Sequence, residues 1–116
     1  MIERLMDALS KGDWSAARRF STSLILMSPD ELLGWKALGV VLHLQGDDCR
    51  ALKLLQLGIR LRPDDTECLY NLGLAYQKMG RDYDARLALE NAIRLRPDYA
   101  EARSNLAVSL NTFGEV

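Results

Sequence analysis

A regular spacing of prolines runs through the chain. Pro29, Pro63 and Pro97 stand 34 residues apart, and each is followed directly by an aspartate. A fixed period of this length is typical of repeat proteins, in which short supersecondary units stack side by side. Because each unit hides its apolar face only against its neighbours, such a chain presents an extended surface rather than a closed pocket. The period therefore favours a binding module, and we expect this chain not to be an enzyme.

The same two-helix pattern is repeated between successive prolines. Each copy has a glycine at its central turn: Gly12, Gly46 and Gly80. From Leu32 to Gly46 and from Asp48 to Leu61, apolar residues recur at the three- and four-residue spacing that places them on one helical face. Since a glycine costs about 1 kcal/mol inside an exposed helix, we interpret Gly39 and Gly73 as points where two helices approach closely.

Acidic residues cluster where these helices are expected to start. Asp30, Asp64 and Asp98 follow the prolines. Two acidic pairs are also present, Asp47 with Asp48 and Asp64 with Asp65. A carboxylate near a helix N-terminus is stabilised by the helix dipole and accepts hydrogen bonds from free backbone N–H groups. We therefore expect the aspartates after the prolines to help start the next helix, and we interpret the pairs as caps rather than metal ligands.

Composition excludes several other functions. The formal net charge is −1, which argues against a nucleic-acid partner. Cys49 and Cys68 have no metal-ligand spacing and no neighbouring histidine, so we expect two reduced, buried thiols, no metal and no cofactor. The N-terminus lacks the pattern of a signal peptide, and no uncharged apolar run approaches the roughly 18 residues that span a bilayer. We expect a cytoplasmic protein with no membrane contact.

Two periods carry a recognisable motif. One reads Trp35-x-x-Leu38-Gly39-x-x-Leu42, then Ala51-x-x-x-Leu55, then Pro63. The next reads Leu69-x-x-Leu72-Gly73-x-x-Tyr76, then Ala85-x-x-x-Leu89, then Pro97. This spacing resembles the tetratricopeptide repeat. The resemblance implies an all-α, right-handed solenoid of antiparallel hairpins with about seven helices: a divergent hairpin at 1–31, repeats at 32–65 and 66–99, and the first helix of a truncated repeat at 100–116.

The resemblance weakens at both ends. Ser21 stands where a large apolar residue is usual, and we expect a shortened first helix whose inward stripe is Ile2, Leu5, Met6 and Leu9. At the other end, a lone first helix would leave three apolar side chains partly exposed: Leu106, Leu110 and Phe113. Because terminal repeats normally present a polar outer face, we expect the chain to be an N-terminal piece of a longer protein. The alternative is a complete small protein that covers this face by homo-oligomerisation.

The resemblance also implies where a partner binds, because the first helices of tetratricopeptide hairpins line the concave wall. The residues that helical phase places there, and that we expect to bind a protein or peptide, are Met6, Lys36, Val40, His43, Leu44, Tyr70, Asn71, Leu74, Lys78, Asn105 and Val108. Their apolar members suit an amphipathic helix or an extended segment with apolar anchors. For Val40 and Leu74 the alternative is that they only pack neighbouring helices together.

Asn71 and Asn105 occupy equivalent positions one period apart. Amides offer donors and acceptors, and the pair resembles the asparagine ladder of O-linked glucosaminyl transferases. The alternative is that the two asparagines only solvate the groove.

Only Lys36 and Asn71 match the carboxylate clamp that tetratricopeptide domains use for heat-shock chaperone tails, so we reject that ligand. His43, the only histidine, has no nucleophile or paired carboxylate at a catalytic spacing.

Two other functions stay open. The run from Trp35 to Gly39 resembles repeats that precede bacterial glycosyl-, methyl- or sulfotransferase domains, which implies a targeting arm whose enzymatic activity lies elsewhere. A self-assembling structural unit, in which the last helix docks on the first helix of another copy, is the second alternative.

Overall fold

A computed structural model describes the backbone of residues 2–112 and the side chains of residues 2–108. Within the described residues the chain is all-helical, with no strand. The helices are α1 (Ile2–Lys11), α2 (Trp14–Met27), α3 (Leu32–Leu44), α4 (Asp48–Leu61), α5 (Thr66–Lys78), α6 (Asp82–Leu95) and α7 (Ala100–Thr112). The predicted all-α fold and the seven helices are confirmed. Phe113 and the side chain of Leu110 lie outside the described residues.

The chain divides into two compact units, Met1–Pro63 and Asp64–Val116. In the first unit each helix packs against the next one along the chain: α1 against α2, α2 against α3, and α3 against α4. In the second unit α6 packs against both α5 and α7, and α5 also contacts α7. Sequential packing of this kind is what stacked hairpins produce, since each amphipathic helix buries its apolar stripe against its chain neighbours.

The core of the first unit joins α1, α2 and α3. Its buried members are Leu5, Ala8, Ala16, Ala17, Ala37 and Val41, with Leu9, Trp14, Phe20 and Leu24 packed against them. The predicted inward stripe of α1 is therefore narrower than expected. Leu5 is fully buried, whereas Ile2 and Met6 each leave about half of their surface exposed. The prediction is wrong for those two residues, because α1 contributes Leu5, Ala8 and Leu9 to the core instead.

The turns and caps follow local chemistry. The turn glycines have positive φ angles: 70° at Gly12, 86° at Gly46 and 74° at Gly80. A residue with a Cβ rarely adopts this conformation. Asp13, Asp47 and Asp65 cap α2, α4 and α5 by accepting a hydrogen bond from the backbone N–H three residues later. The interpretation of the acidic pairs as caps is confirmed for Asp47 and Asp65.

The prediction for the aspartates after the prolines is off by one residue. The N-cap of α3 is Glu31 rather than Asp30, and that of α5 is Asp65 rather than Asp64. At α5 the second acid, Asp65, accepts a hydrogen bond from a free N–H group, whereas the Glu31 side chain makes no capping hydrogen bond to α3.

Gly39 and Gly73 mark close helix contacts, as predicted. A Cβ built on Gly39 would lie 2.8 Å from Cγ of Leu55, and one on Gly73 would lie 2.9 Å from Cγ of Leu89. Both leucines are fully buried. In these two hairpins the first helix therefore has a glycine where a leucine of the second helix fills the space.

Candidate functional site

Five of the predicted binding residues belong to the first unit. Met6 on α1 and Leu44 at the end of α3 each expose about half of their surface. Lys36 and Val40 on α3 are partly buried. Exposed apolar side chains beside polar ones are what a peptide contact needs.

His43 is held by a partner within its own hairpin. Its Nδ1 atom lies 2.5 Å from Oδ1 of Asp48, and both side chains are largely buried. His43 is in the last turn of α3 and Asp48 in the first turn of α4. The pair thus joins the two helices across the turn at Gly46, which gives His43 a structural role that the sequence analysis did not foresee.

The other six predicted residues lie on α5 and α7 of the second unit, and we call them the α5–α7 face: Tyr70, Asn71, Leu74, Lys78, Asn105 and Val108. Residues three and four apart share one side of a helix, which groups Tyr70 with Leu74 and Asn105 with Val108. The side chain of Asn105 reaches Tyr70, where its Nδ2 donates to the phenolic oxygen at 3.2 Å. The two helices therefore present these residues together.

The two asparagines of the predicted ladder are not equivalent. Asn105 Nδ2 also donates to the backbone oxygen of Glu101 at 2.9 Å, so both of its amide N–H groups are used. Gln77 Nε2 donates to the backbone oxygen of Asn105 at 3.1 Å. Asn71 is partly buried, and no described residue hydrogen-bonds its side chain. Asn71 alone keeps its donors and acceptor for a ligand.

Tyr99 supports the α5–α7 face from behind. Its ring centroid lies 5.2 Å from that of Tyr70, only 5% of its surface is exposed, and Arg96 Cζ lies 4.5 Å from its ring centroid. Burial, with smaller contributions from Glu67, Tyr70 and Glu101, raises the pKa of Tyr99 from 10.0 to about 12. Tyr99 is therefore neutral at physiological pH and acts as a packing surface for Tyr70.

The sequence analysis missed Tyr99, although a signal for it exists. Asp65 stands one period before it and Glu31 two, so an aromatic residue occupies a position that is otherwise acidic and starts a helix. The structure shows the reason for the change. At this position the second unit places a ring under Tyr70, and Arg103 Nε donates to the backbone oxygen of Pro97 at 2.6 Å to hold the preceding loop.

Among the described residues no cluster of three or more histidine, cysteine or acidic side chains could hold a metal ion. Neither Cys49 nor Cys68 forms a disulfide, and the prediction of two buried thiols is right for Cys68 but wrong for Cys49, which is exposed in the first turn of α4. No helix within the described part of the chain has the length and apolarity to cross a bilayer.

Two family models match the sequence. A model described as TPR repeat matches residues 39–80, and one described as tetratricopeptide repeat matches residues 66–99. Together they cover more than half of the chain, and the helical hairpins and 34-residue period agree with them. The chain belongs to the tetratricopeptide-repeat family. Tetratricopeptide repeats form helical solenoids that act as non-catalytic scaffolds for protein interaction, and the predicted fold class is confirmed.

Solved structures agree with this assignment. The O-GlcNAc transferase of Thermobaculum terrenum superposes with a TM-score of 0.90 at 30% identity, over 93% of this chain and 21% of the transferase. MamA gives a TM-score of 0.85 at 27% identity, over 94% of this chain and 64% of MamA. The first tetratricopeptide domain of Spaghetti (RPAP3), bound to an HSP90 peptide, gives 0.93 at 16% identity, over 97% of this chain and 89% of that domain.

These three structures differ in how much of their length this chain covers and in their sequence identity to it. This chain spans about a fifth of the length of the transferase and less than two thirds of MamA. The RPAP3 domain, at 16% identity, shares the tetratricopeptide fold and no more. No curated protein sequence matches the chain significantly.

Proposed function

We propose that this tetratricopeptide chain captures a peptide segment of a partner protein on the α5–α7 face. One observation carries the proposal: the face combines an amide that no described residue engages, on Asn71, with apolar surface that stays accessible. Val108 is 58% exposed and Leu74 is partly buried. The amide suits the backbone of a peptide, and the apolar side chains suit one or two anchor residues.

The arrangement also lowers the entropic cost of binding. Tyr70 is fixed by its contact with the ring of Tyr99 and by the hydrogen bond from Asn105. A side chain that is already ordered loses little freedom when a ligand packs on it, and ordering a flexible one costs roughly 0.5–1.5 kcal/mol. Tyr70 therefore offers a preformed contact surface at the centre of the face, and Lys78 adds a positive charge at the end of α5.

Within the first unit we propose a separate set of contacts for the same class of ligand. Met6 and Leu44 expose apolar surface there, and Lys36, Val40 and His43 complete the set that helical phase predicts.

We propose that the protein binds its partner in the cytoplasm, which the absence of a disulfide between Cys49 and Cys68 supports. We also propose the repeat boundaries 1–31, 32–65, 66–99 and 100–116.

The proposal excludes the C-terminal carboxylate of heat-shock chaperones as the ligand. The RPAP3 domain is described with an HSP90 peptide, but here only Lys36 and Asn71 provide suitable groups, and Glu101 places an acid where a cation is needed. A carboxylate is held strongly by charge-assisted hydrogen bonds from several donors. One lysine and one amide do not supply them.

A substitution at the exposed edge of the face tests the proposal. A peptide is first selected from a random display library on the unaltered chain, and its affinity for the Val108→Glu variant is then measured by calorimetry. We expect affinity to fall about tenfold or more, because a charge replaces an apolar contact. The control is Leu26→Glu on α2, which changes a leucine that is 79% exposed.

The control variant should bind the peptide within about twofold of the unaltered chain, since residues outside an interface change affinity little. Unchanged binding by Val108→Glu, or equal losses in both variants, would show that the ligand uses another face. Circular dichroism checks that both variants keep their helical content.

A second candidate function is a targeting arm of a transferase. The observation that favours it is the 30% identity to the Thermobaculum terrenum enzyme over 93% of this chain. In that case the α5–α7 face would select the protein on which a separate catalytic domain acts. Sequencing the gene on both sides of the coding region for this chain tests it: a nucleotide-sugar or methyl-donor domain in the same reading frame supports the arm, and its absence removes it.

A further inference from the structure

A second surface lies in the first unit and includes none of the predicted binding residues. A cleft of about 300 Å³ runs between α2 and α4 over α3. Its floor is apolar and consists of Leu38, Leu42 and Leu54. Its rim carries Arg18 from α2 together with Arg50 and Lys53 from α4. Cations on opposite walls over a leucine floor suit a ligand that is acidic on its flanks and apolar in the middle.

The charge of this cleft is not neutralised within the chain. No acidic residue lines it. Arg50 Nε lies 3.4 Å from Oδ2 of Asp47, in an exposed contact, whereas no described carboxylate pairs with Arg18 or Lys53. Exposed ion pairs contribute little free energy, so Arg50 also stays available to a ligand. The chain has a net charge of only −1, and the cleft is therefore a local concentration of positive charge on a nearly neutral protein.

The positive surface continues beyond the cleft on both walls. A hollow beside α2 is lined by Ser15, Arg18, Arg19 and Thr22, and one beside α4 by Lys53, Gln56, Leu57 and Arg60. Neither hollow contains an acidic residue. The cleft shares Arg18 and Thr22 with the first hollow and Lys53 with the second. Five cations therefore follow one continuous surface with apolar side chains between them.

We propose that this α2–α4 cleft binds an acidic amphipathic helix of a partner protein. A helix that enters a groove presents apolar anchors at three- and four-residue spacing, which the leucine floor accepts. Glutamates on its two flanks then meet Arg18 on one wall and Lys53 on the other. Single-stranded nucleic acid is a poorer fit, because its bases stack on aromatic side chains and none lines the cleft.

The probe for the test is a labelled synthetic helix of about 16 residues, long enough to form helix when bound, with leucines on one face and glutamates on both flanks. Binding is followed by fluorescence anisotropy at several salt concentrations. The variant Arg18→Glu/Lys53→Glu should bind roughly tenfold more weakly or worse, since it places like charges against the glutamates. Arg18→Gln/Lys53→Gln, which only removes charge, should lose less.

The matched control is Arg4→Glu/Arg94→Glu, which changes the net charge by the same amount at exposed positions outside the cleft. It should bind the peptide within about twofold of the unaltered chain, because salt screens charges that lie far from the bound peptide. A shuffled peptide of the same composition should bind at least about fivefold more weakly, since it lacks the apolar face. Equal losses in the control, or equal binding of the shuffled peptide, would overturn the proposal.

Two further probes decide the class of ligand. Single-stranded RNA of matched charge and vesicles containing anionic lipid should bind more weakly than the acidic helix. Tighter binding of either one, lost in Arg18→Glu/Lys53→Glu, would replace the proposed occupant. The Val108→Glu variant should bind the acidic helix as the unaltered chain does, so that failure of this site is distinguishable from failure of the α5–α7 face.

Discussion

The first hairpin has a large residue, Leu5, where the later repeats have a small one, and a small residue, Ser21, where they have a large one. Gly39 and Gly73 stand at the position of Leu5, and Leu55 and Leu89 at that of Ser21. Leu5 and Ser21 are both fully buried, and the Ser21 hydroxyl donates to the backbone oxygen of Ala17 at 2.6 Å. In the first hairpin the leucine therefore comes from the first helix instead of the second. The sequence showed Ser21 as a departure, but its compensation by Leu5 needs the packing to be seen.

This exchange predicts coupling between the two positions. Leu5→Ala alone should lower the free energy of unfolding by about 2–5 kcal/mol through the cavity it leaves. Ser21→Leu alone should cost about 1–3 kcal/mol by overpacking. In the double variant the new leucine fills the vacated space, so the loss should be smaller than the sum by roughly 0.5–3 kcal/mol. Urea unfolding measures all three variants.

The control for this cycle combines Ser21→Leu with Leu89→Ala, a fully buried leucine of the second unit. Those two changes share no partner, so their effects should add to within about 0.5 kcal/mol. Additive behaviour of the Leu5 and Ser21 changes would contradict the exchange.

Capping residues, apolar periodicity and prolines set where each helix begins and ends, and most of these signals can be read from the sequence. The predicted second helix from Asp48 to Leu61 coincides with α4, because a capping aspartate, a periodic apolar face and a following proline all agree. The start of α5 was harder to predict. Asp64 and Asp65 are adjacent carboxylates, and the backbone angles decide which of them reaches the free N–H groups.

The α5 cap gives a prediction with a neighbouring control. Asp65 accepts a hydrogen bond from the N–H of Cys68 at 2.8 Å, so Asp65→Ala should lower the free energy of unfolding by about 1 kcal/mol. Asp64→Ala removes the same charge from an exposed site and should change it by less than about 0.5 kcal/mol. Thermal unfolding compares the two variants, and equal losses would mean that charge near the helix start, rather than the cap, is what stabilises α5.

For the molecule as a whole, the period of the sequence predicts the tetratricopeptide fold and the phase of each helix. Phase was enough to place Tyr70 and Asn105 on related faces, which their hydrogen bond supports. Helical phase did not show that the side-chain amide of Asn105 donates to Tyr70 and Glu101, while the amide of Asn71 has no described hydrogen-bond partner. Helical phase also did not reveal the α2–α4 cleft, because Arg18 and Lys53 are far apart in sequence. They line one cleft only when α3 packs between their helices.

The central claim is that a partner peptide binds the α5–α7 face. Its most direct test is a titration of the isotope-labelled chain with the selected peptide, followed by backbone amide chemical shifts. The account predicts that the largest changes fall on α5 and α7, around Tyr70, Leu74, Asn105 and Val108. Saturable binding with the largest changes outside α5 and α7 would contradict it.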